Sequence, residues 1–249
     1  MSARYGSKTR SGEAVSGLGR RVTGGAPIAS GQSYNEEQFT APGTWSWPGN
    51  VTHVEVLLVG GGGGAGTDNN PGSTTGGAGG GGGVRLELDV PVSTPVPVTV
   101  GAGGSAGSPP NGAGGVGGDS SFGPLSVGGG GGGRGSSSTG NADAPPTGGG
   151  GGGKATSPPS TAGFGGAYGT LALDENGGGA GGPATYMNSS REGYGAGGIS
   201  PVTTTYFVSG YSNDSTTGPG FANTGAGGNA SPTTGNAGSS GIVIVRWWE

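Results

Sequence analysis

The amino-acid sequence predicts an all-β protein: a small antiparallel β-sandwich, jelly-roll-like, that carries long glycine-rich excursions. Three observations lead there. Apolar residues are few but gathered into short runs, several alternating at the two-residue period of a half-buried strand. Those runs open into glycine or emerge from it. The composition is also extreme, with 69 glycines and 18 prolines in 249 residues, 29% hydrophobic and 10% charged, which leaves apolar side chain for only a small core. Collagen is excluded because glycine does not hold every third position. Disorder normally brings a high charge, which is missing here.

Residues 1–34 show little periodicity and read as an extended N-terminal arm, with 35–249 as a single domain. Arg4, Lys8, Arg10, Arg20 and Arg21 against Glu13 give the first 21 residues a net +4, and the remainder carries −8 of the total −4. These five basic residues are the candidate anchor to an acidic partner, the other reading being a solvated tail.

The segment Gln38–Gly49 places strand-forming residues between two Pro-Gly turns. Phe39, Trp45 and Trp47 seed the core, unless one tryptophan serves as an exposed sugar platform. In Val51–Val59 one face holds Val54, Val56 and Leu58, and the other holds His53, Glu55, Leu57 and Val59. The second face predicts burial on both sides toward the strand's end. Val84–Val90 alternates, with Val84, Leu86, Leu88 and Val90 inward and Arg85, Glu87 and Asp89 outward. Val96, Val98 and Val100 keep the same period, but Pro95 and Pro97 lack donors and push that strand to an edge. Ser121–Val127 leads into the next glycine run, and Val202–Val208 reads as a further strand or hairpin arm. Ile242–Val245 is β-branched and uncharged throughout, the pattern of a central buried strand.

Strands leave through Val59-Gly60, Val100-Gly101 and Val127-Gly128 and re-enter through Gly83-Val84 and Gly241-Ile242. Excursions attached in this way gather on one or two rims of the core. The glycine itself has two readings. Such chains usually behave as coils, and glycine loses most entropy on ordering. The alternative is a packed three-residue-per-turn helix at about 3.1 Å rise, whose peptide groups all bond to neighbours. Repeated runs of similar length favour packing.

Chemistry has little to stand on. There are no cysteines, so thiolate sites and disulfides are excluded. Gly148–Gly153 with Lys154 departs from a phosphate-binding loop at Ala155, which lacks the metal-binding hydroxyl. Gly114–Asp119 is a single copy of a calcium-repeat start, with no tandem partner. His53 is the sole histidine and reads as structural. The acidic pairs Glu36-Glu37 and Asp174-Glu175 read as solvated loop charges. The sequence assigns no catalytic, cofactor-binding or metal residue. No apolar run approaches the roughly 18 residues of a membrane span, and no secretory signal is visible. If the body binds a receptor, the bulky residues on the excursions are its contacts: Tyr168, Tyr186, Tyr194, Tyr206, Phe207 and Tyr211. Their other role is to fill gaps between glycine segments.

The ordered succession of motifs carries a resemblance. Phe39-Thr40-Ala41-Pro42-Gly43-Thr44-Trp45-Ser46-Trp47-Pro48-Gly49 comes first, then Val54–Val59 into a glycine run. Val98-Thr99-Val100-Gly101-Ala102-Gly103-Gly104 follows, then Asp119-Ser120-Ser121-Phe122-Gly123 and finally Gly241-Ile242-Val243-Ile244-Val245-Arg246. Over about residues 36–249 this resembles the glycine-rich domain of bacteriophage tail-fibre and minor tail proteins. The resemblance implies a non-enzymatic virion surface protein assembled in the host cytoplasm, often a homotrimer. Its partners would be other tail or capsid proteins, reached through the arm, and a host surface receptor. It implies no specific nucleic acid, no membrane insertion and no cofactor. Related adhesins pack their runs as polyglycine II helices. This chain departs in its short arm, where the family has a long shaft, and in an aromatic-rich insert around 164–211. A capsid decoration protein that stabilises the shell without a receptor is the alternative.

Overall fold

The computed structural model describes residues 34–67, 76–110, 112–135, 222–230 and 235–249. Eight strands form within them: β1 Tyr34–Phe39, β2 Gly43–Trp45, β3 His53–Val59, β4 Val84–Pro91, β5 Val96–Thr99, β6 Ser120–Phe122, β7 Leu125–Val127 and β8 Ile242–Trp248. They make two four-stranded antiparallel sheets, in the orders β1-β8-β3-β4 and β2-β5-β6-β7. The uncharged run of β8 lies between β1 and β3, pairing Val243 with both Phe39 and Leu58.

The inward residues of both sheets meet in one core. Phe39, Val54, Val56, Leu58, Val243 and Val245 come from the first sheet, and Trp45, Val98, Phe122 and Val127 from the second. Trp45 is fully buried at its centre, with ring centroids 5.9 Å from Phe122 and 5.6 Å from Trp247. Trp47 packs against the same cluster and donates its indole N–H to the Val51 carbonyl at 2.6 Å. Neither tryptophan is an exposed sugar platform. On the other face of the first sheet, Leu57, Val59, Val84, Ile242 and Ile244 form a second buried cluster, so β3 is buried on both sides toward its end, as its sequence predicts.

Two strands depart from expectation. The prolines around β5 predict an edge, yet β5 is paired on both sides. Pro97 stands opposite Thr44, and its carbonyl accepts the Gly123 N–H at 2.9 Å; a missing donor removes one ladder bond without removing the neighbour. In β4 the alternation breaks. Val54 pairs with Val90 but Val56 pairs with Glu87, so β4 holds one extra residue there. Such a bulge re-aims the side chains after it. Leu88 is left 49% exposed, Leu86 packs on the outer cluster, and Val90 turns to the central core. The β6–β7 hairpin turns through Gly123-Pro124, with Gly123 at φ +54°, the position a two-residue hairpin reserves for glycine.

The described glycine segments gather at one rim of the sandwich. They are segment I (60–67), II (76–83), III (101–108), IV (112–119), V (128–135), VI (222–230) and VII (235–241). All but VI adjoin a strand there. Segment I is buried along its whole length. Its N–H groups address three neighbours in rotation: Gly60, Gly63 and Gly66 donate to Gly83, Gly80 and Gly77 of segment II. Gly61, Gly64 and Thr67 donate to Gly118, Gly115 and Gly112 of segment IV, and Gly62 and Ala65 to Ser239 and Asn236 of segment VII. Its carbonyls accept from three others: from Gly104 and Gly107 of III, Gly130 and Gly133 of V, and Gly228 of VI, with all these bonds 2.8–2.9 Å long. A three-residue repeat with no internal bonds is polyglycine II geometry.

The six neighbours also bond to each other. Segment II donates to V and VI, IV donates to V and III, and VII donates to III and VI. The ring II-V-IV-III-VII-VI therefore closes around segment I, with orientation alternating at every step. By the usual rise, segment I extends about 22 Å from the rim. Glycine is required here because a Cβ on Gly61, Gly62, Gly63 or Gly64 would collide with the carbonyl of Ala102, Ala226, Gly131 or Ser105. An apolar cluster forms inside the bundle where Ala65, Ala78 and Ala230 of the mutually adjacent segments I, II and VI pack together.

Candidate functional site

Sandwich and bundle give the molecule two poles. At the seam, the buried Ser120 hydroxyl donates to the Val59 carbonyl at 2.6 Å and accepts the Gly101 N–H at 2.9 Å. One side chain thus ties the ends of β3 and β5 where both chains turn into glycine. Segments I, III, V and VI run outward from this seam, and II, IV and VII run back. Thr67, Gly76, Ser108, Gly112, Gly135, Ala230 and Gly235 therefore share the far end. There the Thr67 hydroxyl, 1% exposed, donates to the Ser108 carbonyl at 3.1 Å and accepts the Gly112 N–H at 3.0 Å. This pins the turn between segments III and IV to the end of the central helix.

The opposite pole is where β1 begins. Tyr34 pairs with Trp248, at the end of β8 remote from Ile242 and the bundle. Residues 1–33 thus join the body at the pole facing away from the glycine tips. The outer face of the first sheet carries a polar row here. Arg246 stands between Glu36 on β1 and Glu55 on β3, in register with both, and its Nε donates to Glu36 Oε2 at 2.9 Å. Tyr34 and Gln38 also donate to Glu36, at 3.1 and 2.7 Å, and the Tyr34 ring meets Trp248 edge-on at 5.8 Å.

Burial opposes ionisation of Glu36, but the hydrogen bonds from Gln38 and Arg246 outweigh it and hold the carboxyl below its ordinary value. Glu55 is shifted upward, because burial there exceeds the help from Arg246. Burial also pushes the Tyr34 hydroxyl up to about 12 against the opposing charge of Arg246. Burial acts against the Arg246 charge too, and the bond to Glu36 overcomes it and raises the guanidinium further. Glu36 is thus a strand residue in an ion pair, and the reading of Glu36-Glu37 as loop charges is corrected. Among the described residues no three of His, Cys, Asp and Glu lie together as a metal set would.

The candidate anchor Arg4, Lys8, Arg10, Arg20 and Arg21 lies outside the described residues, as do Tyr168, Tyr186, Tyr194, Tyr206, Phe207, Tyr211 and the segment Val202–Val208. Sequence reasoning missed the Glu36–Arg246–Glu55 row, whose members are far apart in the chain and meet only through strand register. It also missed a pattern it could have read. The non-glycine residues Ala102, Ser105 and Ser108, and then Ala113, Val116 and Asp119, recur at the three-residue period of the helix.

With this geometry in hand, a family model for the glycine-rich domain matches residues 38–248. The chain belongs to that family. The matched stretch of this glycine-rich domain begins inside β1 and ends at the last residue of β8, so it takes in both the sandwich and the bundle. No curated protein matches the chain.

Proposed function

We propose that this glycine-rich domain is a bacteriophage virion appendage, a non-enzymatic display body held to the particle by its basic N-terminal arm. The observation that carries the reading is the placement of the two poles. The arm joins at Tyr34, and the ends of the outward glycine segments lie at the other end of the described body. A bundle bonded on every side of its central helix is a stiff support for whatever chain its tips carry, whereas a coil linker would let that chain wander. The ordered succession of motifs resembles that of phage tail-fibre and minor tail proteins, and this resemblance favours the same reading. In it the arm contacts tail or capsid proteins and the tips contact a host surface receptor.

Deleting residues 1–30 is expected to release a folded body from particles, read by particle incorporation and circular dichroism. Continued incorporation would count against the arm as anchor. Purified body is expected to adsorb to host cells and block infection. Incorporation that depends on the arm, without any adsorption, would favour shell decoration instead.

A further inference from the structure

The described flank of the bundle, segments III, IV and VII, follows a rule that burial alone does not require. Along III and IV the buried positions Gly101, Gly104, Gly107, Gly114 and Gly117 are all glycine, while the exposed positions Ala102, Ser105, Ser108, Ala113, Val116 and Asp119 never are. On VII the exposed position is Ala237. Glycine would fit equally well on such an exposed row.

A hexagonal polyglycine II array has no natural lateral limit. Any outer helix presents a row of peptide groups ready to bond another helix, as the edge strand of a sheet does. The N–H groups of Ala102, Ser105, Ala113 and Val116 donate to no backbone acceptor among the described residues, whereas Gly104, Gly114, Gly115, Gly117 and Gly118 all do. A Cβ at the packed positions Gly101, Gly104, Gly107, Gly114 or Gly117 would collide with the carbonyl of the neighbouring helix. A Cβ on the outer row therefore denies a further glycine helix the spacing it needs.

We propose that this flank is a blocked lattice edge: a surface whose fitting partner is a glycine segment of a second copy of this chain, kept from associating by the side chains on its exposed rows. The inference is independent of the virion reading, because it concerns only how the bundle ends sideways.

The test is sedimentation of the full chain over a range of concentrations. The variant Ala102→Gly/Ser105→Gly/Ala113→Gly/Val116→Gly is compared with the parent, and circular dichroism checks the fold. The expected result is a heavier species that grows with concentration in the variant and is absent from the parent. A folded variant that sediments like the parent overturns the proposal. If the four-fold variant does not fold, the pair Ala113→Gly/Val116→Gly is read the same way. Val116→Ser keeps the Cβ while removing the apolar methyls, and is expected to sediment like the parent. Association of V116S to the same extent as the glycine variant would assign the effect to lost apolar surface and overturn the proposal.

Discussion

Glycine in this protein is a packing residue, and its positions differ widely in what they tolerate. At Gly62 an added methyl meets the Ala226 carbonyl, a backbone group fixed by its own hydrogen bonds. Relief requires a backbone shift in two helices, so Gly62→Ala should cost about 3 kcal/mol, the upper part of the overpacking range. Val116 is 47% exposed on segment IV, and Val116→Ala should stay within about 0.5 kcal/mol of the parent. Chemical denaturation of the two variants checks the contrast. A glycine segment acting as a slack linker would accept both changes equally. Ala65 shows that the rule is local: its methyl is accommodated because Ala78 and Ala230 share the same interstice.

Among the elements, β1, β8 and β3 are joined by the Glu36–Arg246–Glu55 row, whose two carboxylates have opposite linkage to folding. The folded pKa of Glu36 lies below its ordinary value. Its stabilisation is therefore present above the unfolded pKa and is lost as pH falls through the folded one. The folded pKa of Glu55 lies above its ordinary value. Its contribution is therefore full in acid and is lost as pH rises through the raised value. At about pH 7, Glu36→Gln should lower the thermal midpoint and Glu55→Gln should raise it, and the gain from Glu55→Gln should vanish at about pH 4. Thermal scans at both pH values test the signs. A fall in midpoint for both variants at neutral pH would contradict the assignment.

Over the whole molecule, the closed ring makes the bundle a single cooperative unit. A buried amide without a partner costs about 1–3 kcal/mol, and segment I holds eight buried residues whose N–H groups all find acceptors in II, IV or VII. Removing II or IV would orphan three of those eight donors and removing VII two, so segment I is not stable without them. The ring closes only when segment VII, just before β8, is in place, which demands contacts across most of the chain. Amide hydrogen exchange should report this directly. Gly61–Gly64 should exchange only through global unfolding. Segments III and IV should show a three-residue ripple, with Ala113 and Val116 fast between slow Gly114, Gly115, Gly117 and Gly118. Uniformly fast exchange along segment I would rule the bundle out.

The sequence by itself determined β3, β4, β5 and β8, the buried centre of the first sheet and the valine–glycine junctions of the rim. These rest on alternation and on unbroken β-branched runs, which are local properties of neighbouring residues. Only the tertiary structure decided that the β4 bulge exposes Leu88, that β5 is flanked on both sides, and that Arg246 lies between two glutamates. Each depends on register between distant strands. It also decided which neighbour every glycine addresses. A glycine segment has three equivalent faces and no side chain to tell them apart, so its sequence cannot specify a partner. That choice is made by where the sandwich releases each segment and by the hydrogen bonds that close the ring.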